Sequence, residues 1–395
     1  MPVQRKIRVL ETIRHGEVGG GEAHVLDLVQ ALDKTRFEPI VLSFTSGPLI
    51  DRLRAMGIQT HIIETEQPFN VAVWPRVHRL LRDECIDLVH AHGTCAYSNI
   101  FWPARQMALP VVYTVHGWSF HPNQAPLVRK AYQWAERLLM AHAAITICLS
   151  DSSLREGRSF SNMARSLVIK NGINLQRFNP SLSTYNVRAE LGIDRDVLLV
   201  GFIARITAQT DPYTLLRAVA VLPAALPVKF LLVGSGDLKD EAQKMVRRLK
   251  IESKVIFTDF RQDVPDLLQA LDIYCLPSLW EGQPIGILEA MAMGKPVIAT
   301  GIAATREIIE HGVNGLLVPR YAPEKLAAAI QLLAVDKELC RSLGARAYQT
   351  IQSGFTDEEM TRQVEQLYLQ QVARTFPVSM LAETYPPLLH ALRSW

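Results

Sequence analysis

The sequence lacks several patterns that identify whole classes of protein. Its five cysteines include no Cys-x-x-Cys pair, which argues against a disulfide scaffold and against a cysteine-based metal site. No apolar run reaches the roughly 18 residues that a membrane-spanning helix needs. The basic N-terminal segment has neither a long apolar core nor a small-residue cleavage site, so it does not resemble a signal peptide. We therefore expect structural thiols in a reducing compartment.

The chain also carries little net charge. Its 42 Lys and Arg against 39 Asp and Glu give +3, and this excess is unevenly spread. Residues 1–185 hold 20 basic and 15 acidic residues, whereas residues 186–395 hold 22 and 24. An excess of this size, without any nucleic-acid-binding motif, predicts no nucleic-acid partner. It does suggest that the two halves present different surfaces.

Short β-rich apolar runs alternate with segments whose apolar residues have helical spacing. This alternation predicts parallel sheets that are covered by helices on both faces, an α/β fold. The first series of runs covers residues 7–13, 39–44, 60–64, 87–92, 110–117, 143–150 and 166–172. The second series covers residues 197–206, 229–236, 255–260, 273–278, 296–300 and 315–319.

A segment without strand pattern separates the two series. Residues 178–196 contain an Asn-Pro step and several serines, which are typical of a loop. We therefore predict two doubly wound, Rossmann-like domains, 1–183 and 184–368, and a helical tail, 369–395, that packs back on the first domain. Two such domains facing each other would place a ligand cleft at the carboxyl ends of both sheets.

Glycine-rich turns follow strands in both halves of the sequence. Gly19, Gly20 and Gly21 stand immediately before a predicted helix, and Gly234, Ser235 and Gly236 follow an apolar strand. Backbone N–H groups in such turns and at helix N-termini suit a phosphate or a ribose. Neither turn has the Gly-x-Gly-x-x-Gly spacing of dinucleotide sites, which disfavours a dehydrogenase.

The strongest pattern lies in the segment PSLWEGQPIGILEAMAMGKPVIATG. Glu281 falls in a loop and Glu289 one turn into the following helix, and carboxylates accept hydrogen bonds from the vicinal hydroxyls of a sugar or ribose. Arg205, just past an apolar strand, has the planar fork that can hold a diphosphate. The candidate phosphate-binding turn between the two glutamates comprises Gly282, Pro284, Ile285, Gly286 and Ile287.

These motifs resemble those of the GT-B-fold, retaining glycosyltransferases of family 4, the group 1 type. The resemblance runs from residue 7 to about residue 370 and includes EIIEHGVNGLLVP, VIKNGIN, LVGSGDLKDE and GGGEAHVLDLVQAL. It implies that Glu281 contacts the donor sugar, Glu289 the nucleotide ribose, and Arg205 the diphosphate. His116 in YTVHGW matches the family's cleft histidine, which binds the donor sugar; otherwise it is a structural residue.

The resemblance implies a retaining transfer from a UDP-, GDP- or ADP-sugar to a glycan or lipid-linked acceptor. The leaving phosphate oxygen would accept the proton of the acceptor, so no carboxylate nucleophile, metal or other cofactor is expected. Bacterial surface polysaccharide or glycolipid synthesis in the cytoplasm is the implied setting. The amphipathic helix at residues 126–143 is either an ordinary half-buried helix or a basic, aromatic contact with an anionic membrane. His15, His90 and His92 are possible acceptor-side groups and otherwise structural.

One departure from the family concerns the position five residues after Arg205. Family members usually carry a Lys-Gly step there, and this chain has Thr210 and Asp211. Losing one preorganised cation of this kind costs on the order of 100- to 1000-fold in rate. A weakly active or non-catalytic binding subunit is therefore one alternative that stays open. A sugar-nucleotide epimerase of the same fold, which would need carboxylates in the first domain to remove a proton, is the other.

Overall fold

The computed structural model describes residues 5–16, 19–121, 124–182 and 185–376. The chain divides into two compact units: Met1–Gly172 with Asp357–Trp395 (unit 1), and Ile173–Thr356 (unit 2). The sequence places the corresponding boundaries after residues 183 and 368, so the chain changes unit earlier at both crossings. Residues 377–395 of the predicted tail lie outside the described residues.

Unit 1 contains a seven-stranded parallel sheet. Its strands are β1 (Ile7–Ile13), β2 (Phe37–Ser43), β3 (Gln59–Ile62), β4 (Leu88–His92), β5 (Val111–Val115), β6 (Ile145–Cys148) and β7 (Ser166–Val168). Their spatial order is β3-β2-β1-β4-β5-β6-β7. The order reverses between β1 and β4, and doubly wound sheets bind their ligands at the carboxyl ends of the strands beside such a switch point.

The helices of unit 1 cover both faces of this sheet. They are α1 (Gly20–Ala31), α2 (Pro48–Ala55), α3 (Trp74–Asp83), α4 (Thr94–Gln106), α5 (Pro126–His142), α6 (Asp151–Phe160) and, from the end of the chain, α15 (Asp357–Thr375). Helix α15 buries Met360, Val364 and Tyr368 in one cluster with Ile7 and Leu88. The last helix of the described residues therefore completes the core of the first unit.

Unit 2 repeats this architecture with six parallel strands. They are β8 (Leu198–Ile203), β9 (Val228–Val233), β10 (Val255–Thr258), β11 (Ile273–Leu276), β12 (Val297–Thr300) and β13 (Leu316–Val318). The order β10-β9-β8-β11-β12-β13 puts the switch point between β8 and β11. Its helices are α7 (Val187–Glu190), α8 (Pro212–Val221), α9 (Lys239–Leu249), α10 (Val264–Ala270), α11 (Ile285–Ala292), α12 (Ala303–Arg306), α13 (Pro323–Val335) and α14 (Lys337–Gly354).

Two doubly wound parallel sheets confirm the predicted fold class. Every described strand falls on one of the apolar runs of the sequence, and β4, β5, β11 and β12 are buried along their whole length. Burial on both faces explains why these strands are continuously apolar instead of alternating. None of the described helices combines the length and the apolar character that crossing a bilayer requires.

Candidate active site

Two loops of unit 2 run side by side beyond the ends of β8 and β9. The backbone N–H of Ile206 donates to the carbonyl oxygen of Ser235 over 2.9 Å. A Cβ atom on Gly234 would lie 2.1 Å from the carbonyl oxygen of Ala204, and one on Gly236 would lie 2.2 Å from that of Ile206. Only glycines fit this close approach, so the predicted glycine turn is built against the neighbouring loop.

Arg205 lies in the first of these loops and is exposed. Ala204 and Ile206 contact the glycine turn, so the backbone of Arg205 lies beside that turn, and its positive charge lowers the pKa of Glu281. Across the described residues, no carboxylate forms an ion pair with Arg205. A cation at the carboxyl end of a strand, next to a backbone nest and without a protein partner, is suited to a diphosphate.

Glu281 is held in place by two side-chain hydrogen bonds. Its Oε1 accepts from the Ser278 hydroxyl and its Oε2 from the Gln209 amide, both over 2.8 Å. The Leu279 N–H donates to the carbonyl oxygen of Gln209 over 2.7 Å, which ties together the loops after β8 and β11. Burial raises the pKa of Glu281 to about 7, against the smaller opposing effects of these bonds and of Arg205. The carboxylate is oriented, and its charge changes near neutral pH.

Helix α11 begins directly after this loop, at the β8–β11 switch point. Within the part of the chain that the structure describes, no side chain caps its N-terminus after Pro284. A Cβ atom on Gly286 would lie 2.4 Å from the hydroxyl of Tyr274, which donates to the carbonyl oxygen of Ile203 over 3.0 Å. Glu289 is half-buried, and after burial its charge is the largest cause that raises the pKa of Tyr274. Glycine therefore lets the helix start close against the sheet.

The other predicted residues of this loop differ in how far they are buried. Ile285 and Ile287 are buried in the core, so only their backbone groups are available to a ligand. Gly282 is half-buried in the loop that follows Glu281. The structure thus brings Arg205, the glycine turn, Glu281 and the start of α11 to the carboxyl ends of β9, β8 and β11.

Unit 1 gathers four histidines and a glutamate at its own switch point. His90 and His92 lie on β4, Glu11 lies opposite on β1, His116 follows β5, and His24 lies on α1. His92 Nδ1 lies 3.0 Å from His116 Nε2, and His92 Nε2 lies 2.9 Å from Glu11 Oε2. His116 thereby connects to a buried carboxylate through a second imidazole.

The carboxylate of Glu11 is fully enclosed by partners. Tyr368 of α15 donates its hydroxyl to Glu11 Oε1 over 2.7 Å, and His90 Nδ1 lies 3.2 Å from Oε2. Burial alone would raise the pKa of Glu11, but the charge and hydrogen bonds of His90 and His92 lower it well below its ordinary value. Glu11 therefore stays ionised and fixes the proton of His92 on Nε2.

Burial lowers the pKa of three of these histidines. The pKa falls to about 3 for His24 and to about 4 for His92, and it lies well below its ordinary value for His116. Gly21 stands beside the His116 ring, since a Cβ atom there would lie 3.6 Å from ring carbons. Gly20 is exposed as the first residue of α1. The predicted His116 and glycine positions thus lie together in unit 1.

Sequence reasoning missed several residues of both sites. The sequence patterns identify neither Glu11, His24 and Tyr368 in unit 1 nor Ser278 and Gln209 in unit 2. One signal was present: LVHAH places two polar side chains at alternate positions of a strand that is otherwise apolar and central. Polar residues on a buried strand need partners, and a glutamate on the neighbouring strand supplies one.

Two family models match the chain in succession. The model described as Glycosyltransferase Family 4 matches residues 18–177, and the one described as Glycosyl transferases group 1 matches residues 184–350. The chain belongs to the group 1 glycosyltransferases. The matched ranges include His116, Arg205, Glu281 and Glu289, whereas Glu11 and Tyr368 lie outside them.

Curated relatives of this glycosyltransferase are similar over most of their length. One is the UDP-Gal:alpha-D-GlcNAc-diphosphoundecaprenol alpha-1,3-galactosyltransferase of Escherichia coli, 25% identical over 93% of this chain and 98% of that protein. Another is the N-acetyl-alpha-D-glucosaminyl L-malate synthase of Bacillus anthracis, 25% identical over 76% of this chain and 79% of that protein.

A solved structure shows the same fold. HepE of Anabaena, in complex with UDP and glucose, superposes with a TM-score of 0.82 over 92% of this chain and 99% of that chain, at 24% identity. The glycosyltransferase therefore has the GT-B fold that its sequence resembles.

Thr210 and Asp211, the departure from the family pattern, have structural roles in this glycosyltransferase. The buried Thr210 hydroxyl donates to the carbonyl oxygen of Arg205 over 2.5 Å, which closes the loop that carries the arginine. Asp211 adopts φ 47°, a left-handed conformation that favours glycine, and its carboxylate caps α8 by accepting from Thr214 N–H over 3.1 Å. These two positions therefore supply a hydroxyl that closes the loop and a carboxylate that caps a helix, and neither supplies a cation.

Proposed function

We propose that this glycosyltransferase transfers a sugar, with retention, from a nucleotide-sugar donor bound on unit 2 to a glycan or lipid-linked acceptor. The main support for this proposal is the cluster at the β8–β11 switch point. Among the described residues, it combines Arg205 without an ion pair, the glycine turn, the start of α11 without a side-chain cap, and the oriented Glu281 carboxylate. The names of the relatives support the same substrates. The Escherichia coli protein is named for UDP-galactose and a diphosphoundecaprenol acceptor, and HepE was solved with UDP and glucose.

The proposed chemistry uses these groups on the diphosphate and on the sugar. Arg205 and the N–H groups that begin α11 hold the diphosphate and stabilise the charge that develops on it. The bond between the anomeric carbon and the phosphate oxygen breaks with its electron pair on the nucleotide diphosphate. The acceptor oxygen bonds to the same face of that carbon, and its proton goes to the leaving phosphate oxygen. We expect no metal in this step, because Arg205 and the backbone dipoles supply positive potential.

Glu281, Glu289 and His116 orient the donor in this proposal. Ser278 and Gln209 fix the Glu281 carboxylate, which leaves its remaining lone pairs to accept from sugar hydroxyls. Glu289 accepts from the ribose, and His116 contacts the sugar. Orientation of this kind contributes by lowering the entropy that the transfer step must lose.

An epimerase would require a carboxylate in unit 1 that can remove a proton. Both oxygens of Glu11 already accept hydrogen bonds from buried partners, Tyr368 and His92. Glu11, the carboxylate at the switch point of unit 1, therefore does not favour the epimerase over transfer.

A thermal-shift screen of UDP-, GDP- and ADP-sugars tests donor binding. One nucleotide class is expected to raise the unfolding temperature, because a ligand that binds only the folded state stabilises it by mass action. Glu289→Ala is expected to abolish the shift, while Glu252→Ala, at an exposed position of unit 2, keeps it. Absence of any shift in the wild-type chain, or an equal shift in Glu289→Ala, would contradict the proposal.

We also propose that α5 rests on an anionic membrane on the cytoplasmic side, where a lipid-linked acceptor would be met. The helix exposes Leu127 at 83% and Trp134 at 63%, beside the exposed Arg129 and Lys130. Apolar anchors next to basic side chains suit the boundary of a negatively charged bilayer. The five free cysteines agree with a reducing compartment.

Sedimentation with lipid vesicles tests this contact. Binding is expected to vesicles that contain phosphatidylglycerol and not to pure phosphatidylcholine, and to weaken with added salt. A Leu127→Ser, Trp134→Ser double variant should lose binding, whereas Val335→Ser, an exposed position of α13, should retain it. Equal sedimentation of the double variant and the wild-type chain would exclude α5 as the contact.

A further inference from the structure

The imidazole rings of His24, His92 and His116 form a nearly regular triangle. Their centroids are separated by 5.3 Å (His24–His92), 5.0 Å (His24–His116) and 5.3 Å (His92–His116). Three imidazoles bound to one tetrahedral ion, with metal–nitrogen distances of about 2.1 Å, place their ring centroids about 5 Å apart. One nitrogen of each ring lies within 4.8 Å of the other two. The rings therefore have the spacing of a three-histidine metal site.

Hydrogen bonds outside the triangle turn nitrogen lone pairs inward. His24 Nδ1 lies 2.9 Å from Asn171 Oδ1, so it carries the proton and Nε2 has the lone pair. His92 donates from Nε2 to Glu11 Oε2, so its lone pair is on Nδ1. Histidines that bind metals characteristically donate their other N–H group to a carboxylate or a carbonyl in this way.

His24 Nε2 is the atom that most needs a partner. The residue is 4% exposed, and nothing among the described residues hydrogen-bonds to this nitrogen. A buried acceptor that stays unpaired costs free energy, so buried polar atoms without partners are rare. An ion between the three rings would satisfy His24 Nε2, together with the His92 Nδ1 lone pair.

We propose that His24, His92 and His116 bind a transition-metal ion of the Zn²⁺ class in unit 1. Neutral imidazoles select zinc, cobalt, nickel or copper, whereas magnesium and calcium prefer oxygen ligands. Three protein ligands leave the fourth position of a tetrahedral ion to water. Access is from the side of His116, which is half-buried and is followed by the exposed Gly117. In this state His116 releases the hydrogen bond to His92 and carries its proton on Nδ1.

Ion binding has one consequence that rests on the proposed function. His116 is the residue proposed to contact the donor sugar, and a ring bound to an ion cannot make that contact. Zn²⁺ is therefore expected to inhibit transfer. Donor binding to the Glu289→Ala and Arg205→Ala variants tests the proposed function separately, because neither residue is a ligand of the ion.

Titration with Co²⁺, followed by visible absorption, tests the site directly. A chain without a polyhistidine tag is expected to develop saturable absorption bands of tetrahedral cobalt at one equivalent, and Zn²⁺ should displace them. The His24→Phe variant should bind Co²⁺ more than 100-fold more weakly, and so should His116→Ala, which changes a less buried ring. Replacing a residue that only hydrogen-bonds to a metal ligand typically weakens binding by roughly 10- to 100-fold. His78→Ala, a half-buried histidine of α3, is the matched control and should titrate like the wild-type chain.

Circular dichroism checks that each variant is folded. In addition, Zn²⁺ should raise the unfolding temperature of the wild-type chain but not that of His24→Phe or His116→Ala. The site is excluded if no saturable band forms. In that case we would infer that an ordered water molecule donates a hydrogen bond to His24 Nε2. It is also excluded if both variants titrate like the wild-type chain. Binding at one equivalent without inhibition of transfer would support the metal site and contradict only the role proposed for His116.

Discussion

Replacing Arg205 by alanine is expected to lower the transfer rate by about 100- to 1000-fold, because it removes a preorganised charge from the leaving diphosphate. The effect should be this large because the family's second cation is absent: Thr210 stands in its place, and its hydroxyl is engaged by the backbone of the same loop. Backbone N–H groups in the glycine turn and at the start of α11 contribute further positive potential at this edge of the sheet. Steady-state kinetics with the donor identified by the thermal-shift screen measures the loss.

Stability should be nearly unchanged in Arg205→Ala. The side chain is exposed, and surface substitutions away from special features usually alter the free energy of unfolding by less than about 0.5 kcal/mol. Arg217→Ala, at an exposed arginine of α8, is the matched control for a lost surface charge. Arg205→Lys should recover part of the rate, since an ammonium keeps the charge but loses the planar fork. A full rate in Arg205→Ala would show that the diphosphate is held elsewhere.

The sequence predicted the fold well because a parallel sheet leaves a local signal. Each strand is a short apolar run between helical segments, and burial on both faces makes that run continuous. The sites of unit 2 were predictable for a related reason: glycines and a glutamate pair follow strands directly, so chain position places them at the carboxyl edge of the sheet.

The partners of those residues were not predictable in the same way. Tyr368 reaches Glu11 from 357 positions away along the chain, and His24 pairs with Asn171 across 147 positions. Such pairs are set by how α15 and α1 pack on the sheet, which no local pattern encodes. The role of Thr210 was also hidden, because a hydroxyl that closes a loop on a carbonyl oxygen has no sequence pattern of its own.

Replacing Glu281 by glutamine is expected to lower transfer by about 100-fold or more while making unit 2 more stable at high pH. The loss of activity follows from losing a fixed negative charge that accepts from the donor sugar. The gain in stability follows from the pKa of Glu281, which burial raises to about 7. Ionising a buried carboxyl group lowers the free energy of unfolding, and a neutral amide of the same shape has no such penalty.

The direction of the pH effect follows from proton binding. Between its ordinary value of 4.5 and about 7, the folded state keeps the Glu281 proton that the unfolded state has lost. The free energy of unfolding of the wild-type chain therefore falls as pH rises through this interval. This decrease reaches its full size above pH 7. Its size is about 1 to 3 kcal/mol after allowance for partial exposure, which corresponds to an unfolding temperature a few degrees lower.

Thermal unfolding of Glu281→Gln and wild-type chains at several pH values measures this difference. The variant should unfold a few degrees higher at pH 8, and the two curves should converge below pH 4.5, where the Glu281 carboxyl is protonated in both the folded and the unfolded state. Glu252→Gln, at an exposed position of unit 2, should show no such divergence. A constant difference between Glu281→Gln and the wild-type chain at every pH would mean that packing, and not the buried charge, separates them. Lower activity together with higher stability at pH 8 would identify Glu281 as a residue kept for function at a cost to the fold.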